Sequence, residues 1–146
     1  MRIGPSISRM PRKLTLHTTV RTTATSAAAL NVLGPQTRIP TVVYRKGTTG
    51  APILLSRTPY DATNATSRNR SQKIEEVLPV MDAPFVNDGY IRVYQDVRGL
   101  HKSEGDYVMV RPVRGPLNKT GIDHSTDAYD TIDWLVKNLP ESNGKV

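Results

Sequence analysis

Short apolar runs alternate with polar, Gly- and Pro-punctuated segments from about residue 41 onward. Thr41 to Arg45 (T-V-V-Y-R) is β-rich and of strand length, and Gly47 to Gly50 reads as a turn. Ala51 to Ser56 is a second strand. Its continuous Ile53-Leu54-Leu55 run predicts a parallel strand covered on both faces, and its spacing from the first predicts a hairpin-like or neighbouring pair. Pro59 closes this strand, because it cannot donate to a ladder and biases Thr58 to extended geometry. Asp61 to Ser71 is polar and loop-like. Ile74, Val77, Leu78 and Met81 recur at helical spacing, with Phe85 and Val86 continuing the apolar face. Pro79 interrupts that pattern and predicts a kinked helix or two short ones before Asp88-Gly89 ends it.

Tyr90 to Tyr94 (Y-I-R-V-Y) is the third strand, running into Q-D-V-R-G, where Gly99 is expected to supply a special backbone angle. Leu100 to Gly121 is a long Gly/Pro-punctuated loop. The last element is the clearest helix. Asp123, Ser125, Thr126 and Asp127 offer N-caps and first-turn acids, and Ala128, Ile132, Leu135, Val136 and Leu139 form one apolar face. Pro140 and Ser142-Asn143-Gly144 stop it, and Lys145-Val146 reads as the first step of another strand. Strand, helix, strand, helix and a strand start predict an α/β fold with a mostly parallel sheet and crossover helices.

The charge of +7 over 146 residues invites a nucleic-acid reading, but its distribution argues against one. Residues 1–40 hold six Arg/Lys and no acid, whereas residues 41–146 hold fourteen basic against thirteen acidic side chains. The basicity belongs to a leader, expected to be disordered or non-native, ahead of a nearly neutral domain over 41–146. A secretory signal fits poorly, since Thr18, Thr19, Thr22, Thr23 and Thr25 interrupt the apolar core it needs. A transit peptide fits the Arg/Ser-rich composition better, and a nucleic-acid arm is a third reading of a basic tail. The compartment is left open. No apolar run approaches the ~20 residues that span a bilayer. The absence of cysteine excludes disulfides and thiolate metal sites.

Tyr60 stands just past the carboxyl end of the Ala51–Ser56 strand, where open α/β sheets bind ligands. Position alone leaves two readings equally open, ligand binding and packing on the edge of the core. Asp96 and Arg98 read as structural, forming an ion pair and hydrogen bonds at the base of the following loop. His17, His101 and His124 read as surface or loop imidazoles. Ser56 ends a strand and Ser103 sits in a loop, and neither has the G-x-S-x-G frame of a nucleophile elbow.

Residues 41–146 resemble the start of the catalytic domain of the α-amino acid ester hydrolases. These belong to the wider CocE/NonD and Xaa-Pro dipeptidyl-peptidase group of serine hydrolases. The resemblance rests on A-P-I-L-L-S-R-T-P-Y-D-A (51–62), P-F-V-N-D-G-Y-I-R-V-Y-Q-D-V-R-G (84–99) and S-E-G-D-Y-V-M (103–109). It continues in R-G-P-L-N (114–118) and D-A-Y-D-T-I-D-W-L-V-K-N-L-P-E-S-N-G-K-V (127–146). It implies the amino-terminal part of an α/β-hydrolase fold, truncated before the nucleophile elbow, and acyl transfer through a Ser-Asp-His triad. The implied substrates are small-molecule α-amino acid esters or amides, with no metal or organic cofactor, no nucleic acid and no membrane partner. A homo-oligomer is allowed. Tyr60 takes the position of the family tyrosine whose hydroxyl serves the oxyanion hole, which favours the catalytic reading over edge packing.

In the family the triad follows the strand that N-G-K-V begins, so the nucleophile, its Asp and its His are expected beyond residue 146, as is the acidic cluster that holds the substrate ammonium. The three histidines here are then not the triad histidine. The 104–118 loop is expected to border the cleft, without assigned roles. At the front, L-G-P-Q-T-R-I-P (33–40) stands where the family carries an M-R-D-G-like turn. A family-like stretch from Thr41 to Val146 behind an acid-free leader is expected to be a gene fragment, the leader being what out-of-frame translation can produce. The expectation is therefore the amino-terminal piece of a serine hydrolase, inactive alone. The alternatives are a non-catalytic remnant or binding module, and a basic nucleic-acid binder using residues 1–40.

Overall fold

The computed structural model describes the backbone of residues 15–20, 26–34, 37–45, 49–65, 71 and 73–146, and within these the side chains of 39–45, 49–64, 71 and 73–146. Residues 1–14 and the His17 side chain lie outside the described residues.

Five strands form one mixed sheet: β1 (Thr15–Val20), β2 (Ser26–Gly34), β3 (Thr37–Arg45), β4 (Ile53–Thr58) and β5 (Ile91–Asp96). Their spatial order is β1-β2-β3-β5-β4. The first three run antiparallel, β3 pairs antiparallel with β5 (Val43 opposite Val93), and β5 pairs parallel with β4 (Leu55 opposite Val93). Strand pairing thus runs back through the stretch read as a leader. The boundary expected at Thr41 falls inside β3, which carries Pro40 opposite Asn31.

Two expectations about the strands are corrected. β3 and β4 are not neighbours, because β5 inserts between them. The strand buried on both faces is β5, every residue of which is buried, whereas in β4 only Ile53 is. The apolar run of β4 belongs to a parallel strand, paired with β5. Leu54 and Leu55 are half-buried, and pairing on the far side of β4 is seen at its amino end. There Ala51 N–H donates to Glu141 O (2.8 Å), Asn143 N–H to Ala51 O (2.9 Å) and Ile53 N–H to Lys145 O (2.8 Å). The Ala51–Ser142 bridge is parallel.

Helices cover both faces, so alternate strand residues enter two cores. Between β4 and β5 the chain forms α1 (Ala62–Ala65), α2 (Ile74–Val77), a 3-10 turn (Val80–Asp82) and α3 (Ala83–Asn87). This is the interrupted helix that Pro79 predicts, with an added turn in the Asp61–Ser71 segment. Val42, Tyr44 and Tyr94 pack here with Ala62, Ile74, Leu78 and Val86. Arg92 also faces this side, its guanidinium 4.0 Å from the Tyr94 ring centre and 3.2 Å from Asp82 Oδ1.

On the other face, Val43, Ile53, Ile91 and Val93 pack against Trp134, Leu135 and Leu139 of α4 (His124–Asn138) and the residue after it. Asp123 caps α4, accepting from Thr126 N–H at 2.7 Å while Thr126 Oγ1 accepts from Asp123 N–H at 2.9 Å. The buried face of α4 differs from the expected stripe. Asp127, Thr131, Trp134 and Leu135 face the sheet, while Ile132 and Val136 remain 37% and 38% exposed. On this face Thr131 meets Gln95 of β5, and Asp127 meets Arg57 of β4 and Arg98 of the following loop.

Candidate functional site

The parallel strands β4 and β5 deliver their carboxyl ends to one edge, and Val97 N–H extends the ladder to Thr58 O at 3.0 Å. The α4-facing side is apolar towards Ile53 and Ile91 and polar at this end. Arg57 of β4, Gln95 of β5, Thr41 of β3, and Asp127 and Thr131 of α4 meet there. Arg57 Nε donates to Gln95 Oε1 (2.8 Å) and Nη1 to the His124 carbonyl (2.8 Å). Gln95 Nε2 donates to Thr41 Oγ1 (2.9 Å) and Thr131 Oγ1 (3.0 Å). Asp127 lies between two arginines. Arg98 Nε donates to its Oδ2 at 2.9 Å, Arg98 Nη2 contacts its Oδ1, and Arg57 Nη2 stands 3.8 Å from Oδ2. Burial holds the Arg57 guanidinium below its ordinary pKa; neighbouring Asp127 opposes that shift and Arg98 adds to it.

This network ties the strand end from which the Tyr60 turn projects to β5 and α4. Thr58 Oγ1 accepts from Tyr60 N–H (3.1 Å), and Asp96 Oδ1 accepts from Ala62 N–H (2.7 Å). Burial pushes the Asp96 carboxyl up, against the Ala62 hydrogen bond and the nearby His101. Asp61 takes a left-handed conformation at φ 58°. Tyr60 itself is 81% exposed, so it does not pack on the edge of the described core.

Asp96 holds the Tyr60 turn through Ala62 N–H, and Arg98 holds α4 through Asp127. Gly99 has the expected positive φ, 76°, and a Cβ there would lie 2.1 Å from Tyr107 N. Ser56 Oγ accepts from Arg92 Nη2 at 2.7 Å. Ser103 Oγ is buried without a hydrogen-bond partner among the described residues. His124 Nε2 contacts Val108 O at 2.9 Å, tying α4 to the long loop. Within that loop Asn118 is the hub of R-G-P-L-N, its Nδ2 donating to the carbonyls of Pro112 (2.8 Å) and Ile122 (3.0 Å). No described group of three or more His, Cys, Asp and Glu side chains is placed to hold a metal. No described helix is long and apolar enough to cross a membrane.

Sequence reading missed the roles of Arg57, Gln95, Thr131 and Asp127. The available signal was polar residues at inward-facing strand positions and an Asp and Thr four apart on one helix face. Only the fold shows that these positions meet.

The mixed sheet with helices on both faces is that of the amino-terminal part of an α/β-hydrolase-type fold. Residues 34–146 match the family described as X-Pro dipeptidyl-peptidase (S15 family), and the chain belongs to it. Among solved structures, a selenomethionine-labelled α-amino acid ester hydrolase is 46% identical with a TM-score of 0.73, over 97% of this chain and 23% of that one. An aminopeptidase from the marine sediment archaeon Thaumarchaeota archaeon is 44% identical with a TM-score of 0.72, over 94% of this chain and 23% of that one. Cocaine esterase of Rhodococcus sp. (strain MB1 Bresler) is 33% identical over 117 residues, 76% of this chain and 17% of the esterase. The chain therefore spans less than a quarter of the length of each of these proteins.

Proposed function

We propose that residues 41–146 supply the oxyanion-hole side of a serine hydrolase that cleaves α-amino acid esters or amides by acyl transfer, with the Tyr60 hydroxyl as an oxyanion donor. The observation that carries this reading is the placement of Tyr60, exposed on a turn beyond the parallel pair β4 and β5 and anchored at Thr58 and Asp96. A donor held rigidly before reaction needs no reorganisation when charge develops on the carbonyl oxygen, which is the source of its catalytic value. The α-amino acid ester hydrolase at 46% identity supports the substrate class. No serine in the chain has the G-x-S-x-G frame. We place the Ser-Asp-His triad outside these 146 residues.

The test grafts residues 41–146 in place of the matching segment of that solved hydrolase and compares the graft with its Tyr60→Phe variant. The variant is expected to lose roughly 10²–10³ in kcat on an α-amino acid ester, with KM little changed. An unchanged kcat would reject the assignment of Tyr60.

A further inference from the structure

Two non-glycine residues among those described have positive φ, Asp61 at 58° and His101 at 54°. They lie on different segments yet face each other across the Tyr60 turn. His101 Nε2 is 2.8 Å from the Pro59 carbonyl oxygen, a contact spanning 42 residues of sequence, and Nδ1 is 3.8 Å from Asp61 Oδ2. Pro59 and Asp61 are the residues on either side of Tyr60, so one imidazole touches both neighbours of the proposed oxyanion donor. Left-handed conformations at non-glycine residues persist only where surrounding contacts impose them, and they gather at functional sites.

We infer that His101 is a positioning residue for Tyr60. The inference rests on the oxyanion-donor reading only for its catalytic meaning, since the clamp is a conformational property. Pro59 O can only accept, so His101 Nε2 must carry the proton of the contact, which makes the Nε2–H tautomer the competent neutral form. That bond fixes the peptide entering Tyr60. Nδ1, unprotonated in that tautomer, forms no hydrogen bond with the Asp61 carboxylate, and the chain leaving Tyr60 is held one residue on, where Asp96 Oδ1 accepts from Ala62 N–H. Thr58 Oγ1 and Asp96 Oδ1 hold the N–H groups of Tyr60 and Ala62 and leave the Pro59 carbonyl to His101. His101 before Tyr60 and Asp96 after it then hold the backbone on both sides while the ring stays in solvent.

The experiment is NMR on the full 146-residue chain without substrate. Imidazole ¹⁵N shifts of the unsubstituted protein should show His101 in the Nε2–H tautomer. His101→Phe keeps a ring and removes the donor. The Tyr60 amide should then exchange with solvent about tenfold faster, while Ile91 and Val93 amides of β5 stay unchanged. His101→Gln restores an amide donor and should bring Tyr60 exchange most of the way back. An Nδ1–H tautomer, or a His101 signal averaged as in an unfolded chain, overturns the inference without reference to any variant. So does Tyr60 exchange that is the same in all three proteins. These readouts need no turnover, so a failed clamp and a failed Tyr60→Phe test remain distinguishable.

Discussion

Asp127 carries more of the structure than its place in the first turn of α4 predicts. As a first-turn acid it would be worth a fraction of a kcal/mol to the helix dipole. Instead its side chain is 5% exposed and faces Arg57 and Arg98 together. A buried ion pair adds little net stability over an apolar replacement, but removing one partner leaves charge uncompensated. Asp127→Ala removes the carboxylate that faces both guanidiniums and is expected to cost about 3–5 kcal/mol, read from urea unfolding of the 146-residue chain. A loss below about 1 kcal/mol would show that water reaches the site and that the network is looser than its geometry. His101 belongs to the same scale. Its exposed imidazole looks dispensable until its contact with Pro59 O places it beside Tyr60.

Among the elements, α4 shows how a cap couples to pH. The Asp123 carboxyl lies below its ordinary 3.8, first through the Thr126 N–H and then through the Arg114 N–H. A depressed folded-state pKa stabilises the fold above the ordinary carboxylate value, and that contribution is lost as pH falls through the folded pKa. Asp123→Asn should therefore flatten the acid limb of the thermal midpoint against pH, followed by circular dichroism from roughly pH 3 to 7. An unaltered acid limb would assign acid sensitivity to other carboxylates. The Asp96 carboxyl, pushed up by burial, has the opposite sign. Its ionisation costs the fold nothing well below its ordinary value, and the cost is complete above the raised pKa. The long loop depends on Gly99, where both φ 76° and the 2.1 Å approach to Tyr107 N exclude a side chain. Gly99→Ala is expected to cost upwards of ~1 kcal/mol and to shift loop amides such as Tyr107; a variant of unchanged stability would mean that the loop packs without that close approach.

At the scale of the whole molecule, the sheet gathers parallel strand ends at one edge and leaves Tyr60 in solvent there. An oxyanion donor alone does not form an acyl-enzyme, since covalent catalysis needs an activated nucleophile. The 146-residue chain is expected to show no turnover of an α-amino acid ester and no labelling by a serine-directed phosphonate. A kinetic burst would place a nucleophile within these residues and overturn the proposed division of roles.

The sequence by itself determined the family and, from Thr41 onward, most kinds of element, but not β1, β2 or α1. Apolar runs at Val42-Val43 and Ile53-Leu54-Leu55 were legible as strands, Pro79 as a helix interruption, Asp123 and Thr126 as cap residues, and R-T-P-Y with Q-D-V-R-G as family motifs. These are local signals, set by propensity, periodicity and spacing along one stretch of chain. Tertiary structure alone decided that β5 lies between β3 and β4, that α4 turns Asp127 and Thr131 inward, and that His101 meets Pro59. Each depends on two segments far apart in sequence, and no periodicity within one segment encodes which partner another will present. Ile132 and Val136 looked as suitable for burial as Leu135. The face that meets the sheet also carries Asp127 and Thr131, whose partners Arg98 and Gln95 arrive on a different loop and strand.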